Sequence, residues 1–310
     1  MNKLEPINQK SLFGLDKYIN ELITLYDEDK YPNKLLLSGL KGSGKSTLAH
    51  HFINYVLSKD ENQCYDKKNF KINPESPSFK TILNKSNPNV NIVDINSDKK
   101  TIDINQIREL TINLNKSSFN TKPRFVLIDN IEFLNNNSIN ALLKVLEEPN
   151  HNINFILINN NKKILSTLLS RCVNYKISLT NKECLEIADH LLTGNLKNII
   201  NDDLINYYFT PGKIYKLVKF AELYEYNLAD LNLKNFLKII IKENHYKKDL
   251  LIKDIIFDLM EFYFRKLNSS FSKKINIKYS YFLKKISDTK TFNLDEESLF
   301  MEFEEEILNG

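Results

Sequence analysis

The chain has 310 residues, 42% of them hydrophobic, which is enough for two or three domains with apolar cores. Its 43 basic and 39 acidic side chains leave a net charge of only +4, so bulk charge gives no argument for nucleic-acid binding. Three cysteines without a C-x-x-C pair argue against a zinc site and favour reduced thiols in a cytoplasmic protein. No segment has the composition of a signal peptide or a membrane span.

Strand-like and helical patterns alternate over about the first 180 residues. Apolar runs predict five strands, at residues 34–37, 90–95, 124–129, 153–158 and 173–177. Apolar residues spaced three or four apart predict helices over 47–57, 104–114 and 139–146. The polar segment 60–89 predicts an insertion loop. Such alternation predicts an α/β fold with a parallel sheet and helices on both faces, which binds ligands at the carboxyl ends of its strands.

After residue 177 the patterns are helical. Thr180 and Glu183 have the spacing of a capping box that opens a helix, and a helical unit extends to about residue 226. From residue 227 two apolar stripes predict core-packing helices: Leu233, Phe236, Leu237, Ile240 and Ile241, then Leu251, Ile255, Leu259 and Phe262. Residues 234–290 are mainly basic and residues 295–306 acidic, as in oppositely charged solvated faces of a helical domain. We predict three domains, at 1–179, 180–226 and 227–310.

A phosphate-binding motif occupies residues 39–46. Its sequence, G-L-K-G-S-G-K-S, fits G-x-x-x-x-G-K-[ST] and stands between a predicted strand and a predicted helix. Glycines let the backbone N–H groups and the positive helix end surround a phosphate. The lysine reaches the β and γ oxygens, and Ser46 ligates Mg²⁺. The sequence therefore predicts a nucleotide site formed by Gly39, Gly42, Ser43, Gly44, Lys45, Ser46 and Thr47.

An acidic residue ends the apolar strand at 124–129. In P-loop proteins the acid at this position, here Asp129, holds the Mg²⁺ shell. The alternative is a surface turn, because Asp129-Asn130 is also a turn-forming pair. The upstream phosphate loop favours the metal role.

Residues 128–149, IDNIEFLNNNSINALLKVLEEP, closely resemble the Walker B strand end and following helix of clamp-loader ATPases of the AAA+ class. Residues 140–149 fit their N-A-L-L-K-x-L-E-E-P pattern, and Ser170-Arg171-Cys172 matches their S-R-C triplet. The resemblance covers residues 10–180 well, the segment near 210–213 tolerably, and the C-terminal helices only by type. It implies an AAA+ P-loop domain over 1–179, a helical lid over 180–226 and a helical collar for oligomerisation over 227–310.

The resemblance also implies ligands and partners. These are ATP or ADP with Mg²⁺ but no zinc, other clamp-loader subunits of the gamma/tau and delta types, and, through the assembly, a sliding clamp and primed DNA. Arg171 becomes an arginine finger that reaches the nucleotide of a neighbouring subunit, and Asn159 becomes the sensor residue at the end of its strand. The alternative for Arg171 is an ordinary surface ion pair.

Three departures make the chain resemble the delta-prime type of bacterial DNA polymerase III subunit more than the motor subunits. Asn130 replaces the catalytic glutamate, Gly212 aligns with the sensor-2 arginine, and residues 63–87 replace a four-cysteine zinc module. Glu132, two residues further on, is expected to point away from the position of that catalytic glutamate. These features imply a structural and regulatory subunit that binds nucleotide with little hydrolysis. The alternative is an autonomous AAA+ ATPase, such as a motor clamp-loader subunit or a Holliday-junction helicase. A small-molecule P-loop kinase is a third and weaker alternative.

Overall fold

The computed structural model describes residues 5–96, 99–116, 120–147, 152–205, 208–253, 255–268, 273–292 and 294–309. Contacts divide the chain into two compact units, Met1–Glu183 and Cys184–Gly310. The predicted finer division of the second unit at residue 226 stays a prediction. Over the described ranges, no helix is both long and apolar enough to cross a bilayer.

In the described part of the first unit, five strands form one parallel sheet, so the predicted α/β class is confirmed. The strands are β1 (Lys34–Ser38), β2 (Val90–Val93), β3 (Arg124–Ile128), β4 (Ile153–Asn159) and β5 (Val173–Lys176). Their order across the sheet is β2-β3-β4-β1-β5, and the central strands β3 and β4 are buried throughout, as fits near-continuous apolar runs. The carboxyl ends of β1, β3 and β4 therefore meet at one edge.

Helices cover this sheet. They are α1 (Asp16–Asp27), α2 (Lys45–Ser58), α3 (Pro77–Leu83), α4 (Ile104–Leu114), α5 (Asn136–Glu147) and α6 (Ser166–Leu169), with 3-10 turns at Pro6–Asn8 and Ile131–Phe133. The expected loop over residues 60–89 is wrong in one respect, because it contains α3. Ser76 caps this helix by accepting from the Phe79 amide, Pro77 occupies its first turn, and Phe79 and Ile82 are buried. A short capped helix within a polar segment lacks the long periodicity that identifies helices.

An arginine at the start of β3 secures the end of α4. The guanidinium of Arg124 is largely buried and donates to the carbonyl oxygens of Asn113, Leu114 and Lys116 at 2.6, 2.8 and 3.1 Å. The carbonyls of Asn113 and Leu114 are among those that a helix end leaves without an intrahelical partner, and Lys116 follows the helix. Arg124 thus fastens α4 to β3, the strand that Asp129 follows.

The second unit is helical. Its elements are α7 (Asn181–Leu192, which begins at the end of the first unit), α8 (Leu196–Ile199), α9 (Asp202–Ile205), α10 (Pro211–Leu223), α11 (Leu233–Lys242), α12 (His245–Lys248), α13 (Leu250–Lys253), α14 (Ile256–Asn268), α15 (Lys273–Phe292) and α16 (Glu296–Phe303), then a π-helical turn at Glu304–Leu308. Thr180 and Glu183 form the predicted capping box. The stripe on α11 is buried, and one apolar cluster includes residues from Ala188 to Leu308.

The basic segment and the acidic tail of this unit bind each other. Among the residues whose side chains the structure describes, four ion pairs join them: Lys247–Glu297, Lys253–Glu296, Lys278–Glu306 and Lys285–Glu302. The pairs are exposed or half-exposed, so each contributes little to stability. The two segments of opposite charge therefore pair with each other within this unit.

Two adjacent histidines on α2 are buried in the first unit. His50 is 5% exposed, and its Nδ1 has no hydrogen-bond partner. His51 is fully buried, with Nδ1 2.9 Å from the Tyr65 hydroxyl and Nε2 3.1 Å from the Gln9 carbonyl oxygen. Burial lowers the pKa of each histidine to about 4. Both side chains are therefore neutral at pH 7, and charging them would oppose folding.

We predict that the free energy of unfolding falls as the pH is lowered from about 6.5 to about 4. In this window the unfolded chain, with histidine pKa values near 6.5, binds more protons than the folded one. Each histidine contributes up to about 1.4 kcal/mol per pH unit. His50→Leu should lower that slope and preserve stability at pH 7.5, since no hydrogen bond is lost. Urea unfolding at pH 7.5, 6 and 5 checks this, and an unaltered slope in the variant would contradict it.

Candidate nucleotide-binding site

The loop between β1 and α2 has a backbone that favours glycine at three positions. Gly39, Gly42 and Gly44 have φ angles of 151°, 84° and 86°. A Cβ atom at Gly39 would lie 2.4 Å from the carbonyl oxygen of Ile177, so no larger residue fits there. Gly44 is the N-cap of α2, whose first residues are Lys45, Ser46 and Thr47. The structure thus places the predicted phosphate-loop residues on a turn that ends at a helix N-terminus.

Lys45 is the buried cation of this loop. Its side chain is 3% exposed, and its Nζ donates to the carbonyl oxygens of Gly39 at 2.9 Å and Leu40 at 2.7 Å. The hydroxyl of Ser43, itself buried, lies 3.5 Å away. Burial lowers the pKa of Lys45 to about 8, and the carboxylates of Asp129 and Glu132 oppose that shift. A desolvated ammonium bonded to neutral oxygens at a helix start fits an incoming phosphate.

Asp129 follows β3 and faces the start of α2. It accepts a hydrogen bond from Ser46, so the two residues predicted as Mg²⁺ ligands lie together. Burial raises the pKa of Asp129 to about 6, with a further contribution from the nearby carboxylate of Asp94 at the end of β2. A cation beside these carboxylates would reverse that shift.

The protein donors alone do not make a complete metal centre. Among the described residues no group of three or more histidine, cysteine, aspartate or glutamate side chains is placed to hold a metal ion. Mg²⁺ is commonly bound by one or two carboxylates together with substrate phosphates and water. Ser46 and Asp129 fit that kind of site.

Asn130 lies at the centre of a polar cluster at the sheet edge. Its backbone is left-handed, with φ 56° and ψ 45°, and its Nδ2 donates to Asp94 at 2.7 Å. Its Oδ1 accepts from the Nδ2 of Asn160 at 2.8 Å. Asn130 is therefore an amide held by its neighbours at the position where the resemblance to clamp-loader ATPases implies a carboxylate.

The side chain of Glu132 is held by Asn160. Its Oε1 accepts from Asn160 Nδ2 at 2.9 Å, and its Oε2 accepts from the Asn160 backbone N–H at 3.3 Å. The 3-10 turn Ile131–Phe133 turns this side chain back toward the end of β4. Glu132 also influences the pKa of Lys45, so it belongs to the same edge of the sheet.

The two asparagines at the end of β4 differ. The side chain of Asn159, the predicted sensor, bonds to the backbone of Lys162 at 2.9 and 3.1 Å. Asn160 instead joins Asn130 and Glu132. The sequence analysis missed Asn160 and Asp94. Their position at the ends of two predicted strands was the available signal, because parallel strands end at the same edge.

Arg171 follows the short helix α6 and is held within its own unit. Its Nε donates to Oε1 of Glu147 at 3.0 Å, its Nη2 donates to the same oxygen, and its Nη1 donates to the Thr167 carbonyl oxygen at 2.8 Å. Glu147 ends α5, and the last two residues of the predicted 140–149 motif, Glu148 and Pro149, lie outside the described residues. In the second unit, Gly212 lies in the first turn of α10, and Lys213 pairs with Asp258.

Comparisons with known proteins identify relatives of this site and fold. A family described as "DNA polymerase III, delta subunit" matches residues 14–181. DNA polymerase III subunit gamma/tau of Mycoplasma genitalium is 30% identical over 231 residues, 74% of this chain but 35% of that protein. Subunit delta' of Buchnera aphidicola subsp. Schizaphis graminum is 27% identical over 290 residues and 84% of each chain.

Among solved structures, a gamma subunit-related protein of DNA polymerase III from Thermotoga maritima superimposes with a TM-score of 0.49 and 20% identity, over 90% of this chain and 96% of that one. The chain spans about a third of the gamma/tau relative's length and most of the delta' relative's. The family match covers more than half of the chain and includes the phosphate loop, Asp129 and Arg171. The protein therefore belongs to the DNA polymerase III delta subunit family.

Proposed function

We propose that this chain is a delta-prime-type clamp-loader subunit that binds ATP or ADP with Mg²⁺ but hydrolyses it slowly. One juxtaposition carries the proposal: a complete phosphate loop with a buried Lys45 stands beside Asn130, whose amide is bonded to Asp94 and Asn160. The loop residues favour binding of phosphate. An amide cannot accept the proton that a general base removes from water. Binding and hydrolysis are thereby separated.

Partners follow from the same proposal. The delta' relative matches this chain over 84% of both lengths, which supports assembly with gamma/tau-type and delta-type subunits. Through that assembly the protein would help to load a sliding clamp onto primed DNA. Exposed apolar side chains in the C-terminal region, Phe292, Leu294 and Met301, support a role for residues 227–310 in subunit contacts, with 180–226 as a lid.

Arg171 is proposed to act on the nucleotide of a neighbouring subunit. It lies between exposed apolar residues, Leu165, Leu169 and Val173, which are 46%, 40% and 55% exposed. Apolar side chains grouped around a charged one favour a protein interface. A guanidinium presented at such an interface suits the negative charge that develops during phosphoryl transfer.

An autonomous ATPase is the second candidate, and Glu132 favours it. This carboxylate lies at the same edge of the sheet as Lys45 and is oriented by Asn160. A positioned carboxylate is the group that a hydrolytic site requires. The turnover of the isolated chain decides between the candidates.

We predict that Lys45→Ala weakens binding of a fluorescent ATP analogue by at least about 30-fold, because removal of a desolvated charge partner commonly costs 2–5 kcal/mol. Lys68→Ala, which removes one exposed lysine outside the loop, is the matched control and should bind as the native chain does. Melting curves verify that both variants are folded. Equal affinities of the native chain and Lys45→Ala would refute the assignment of the loop.

We predict negligible ATP turnover by the isolated chain, since loss of a general base commonly reduces rates by about 10² to 10⁴. Steady-state phosphate release, measured with saturating Mg²⁺ and ATP, should stay far below about one per second, the low end of ordinary enzyme rates. A rate of that size that disappears in Glu132→Gln would establish the autonomous ATPase instead.

We predict that Arg171→Ala leaves nucleotide binding by this chain unchanged but lowers DNA-stimulated ATP hydrolysis and clamp loading by a reconstituted assembly. Single trans fingers are worth roughly 10³ to 10⁵ in rate, and several act in one assembly, so the overall loss should be smaller. Arg108→Ala, at an exposed position on α4, is the control. Unchanged hydrolysis and loading would show that Arg171 is an ordinary surface residue.

A further inference from the structure

We propose that Glu147 holds Arg171 in a retracted position, and that Arg171 becomes available to a neighbouring subunit only when this ion pair opens. The proposal rests on the trans function proposed for Arg171 and adds a restraint within the same chain. Glu147 then acts as a positioning residue that works through Arg171.

All three guanidinium nitrogens are bonded inside the subunit. Nε and Nη2 both donate to one carboxylate oxygen of Glu147, and Nη1 donates to the carbonyl oxygen of Thr167 at 2.8 Å. Carboxylates and phosphates bind the same fork of a guanidinium. A phosphate on another subunit must therefore displace Glu147 before it can take the same donors.

The pair is placed so that it can open. The side chains of Arg171 and Glu147 are 34% and 54% exposed, so solvent and a partner can reach both. Glu147 is the last described residue of α5. Departure of Arg171 leaves the Glu147 carboxylate without that cation, which favours return of the arginine once the partner's phosphate has gone.

The strength of the restraint follows from its exposure. Exposed ion pairs are weak, and the upper end of their measured range corresponds to about a fivefold equilibrium factor. Glu147 should therefore delay engagement of the arginine without blocking it. Arg171 thus has two possible partners of similar geometry, the Glu147 carboxylate in the same chain and a phosphate in the next chain. Its position therefore depends on the neighbour's nucleotide.

The first test measures the retracted state in the full isolated chain. Phenylglyoxal modifies accessible arginines, and peptide mass analysis gives the rate at Arg171, with exposed Arg108 as the reference in the same digest. Glu147→Gln should raise the rate of modification at Arg171 by about two- to fivefold, the factor expected for an exposed ion pair. Glu109→Gln, an exposed carboxylate on α4, is the charge-matched control. An equal rate in Glu147→Gln and Glu109→Gln would overturn the proposal.

The second test uses the reconstituted assembly. Glu147→Gln should raise DNA-stimulated hydrolysis at limiting ATP, and the gain should vanish in Glu147→Gln combined with Arg171→Ala. A lower rate would show that Glu147 orients the arginine for catalysis, which overturns retraction. If Arg171→Ala alone has no effect on the assembly, the trans function itself fails. If it has an effect but Glu147→Gln does not, only the restraint fails.

Discussion

A buried positive charge organises the first unit. The ammonium of Lys45 lies almost entirely out of solvent, bonded to the carbonyl oxygens of Gly39 and Leu40, and its burial lowers its pKa to about 8. The left-handed glycines bring those carbonyls round it, and α2 starts at the lysine itself. A phosphate that enters here would pair with the Lys45 ammonium. The free-energy cost of removing this ammonium from water has already been met when the protein folded. The β1–α2 connection is therefore prepared for an anion.

One edge of the parallel sheet brings together two groups of polar side chains. The ends of β1 and β3 place Lys45, Ser46 and Asp129 together, and these residues suit phosphate and Mg²⁺. The same edge holds Asn130 in a network of amides and carboxylates at the place where a base would act. Because different side chains would bind the nucleotide and activate water, a subunit of this kind can retain nucleotide binding without hydrolysis.

Arg171 is bound by residues outside the phosphate loop. Its own nucleotide site is built from the loop after β1, whereas Arg171 is held by groups at the end of α5 and on α6. Arg171 is half-buried, and the exposed apolar residues Leu165, Leu169 and Val173 flank it in the sequence. Its ion pair with Glu147 connects Arg171 to α5, the next α-helix after β3.

The sequence by itself determined the parallel α/β class, all five strands, the phosphate loop and the placement of Asp129, because apolar periodicity and glycine patterns are local properties of the chain. Only tertiary structure decided the strand order, the grouping of Asp94, Asn130 and Asn160, the turn that directs Glu132 to β4, and the partner of Arg171. The side-chain contacts join residues 24 to 36 positions apart. The pairing of β1 with β4, as between Lys34 and Phe155, joins residues still further apart. Local spacing carries no information on them, since packing of the sheet and its helices brings those side chains together.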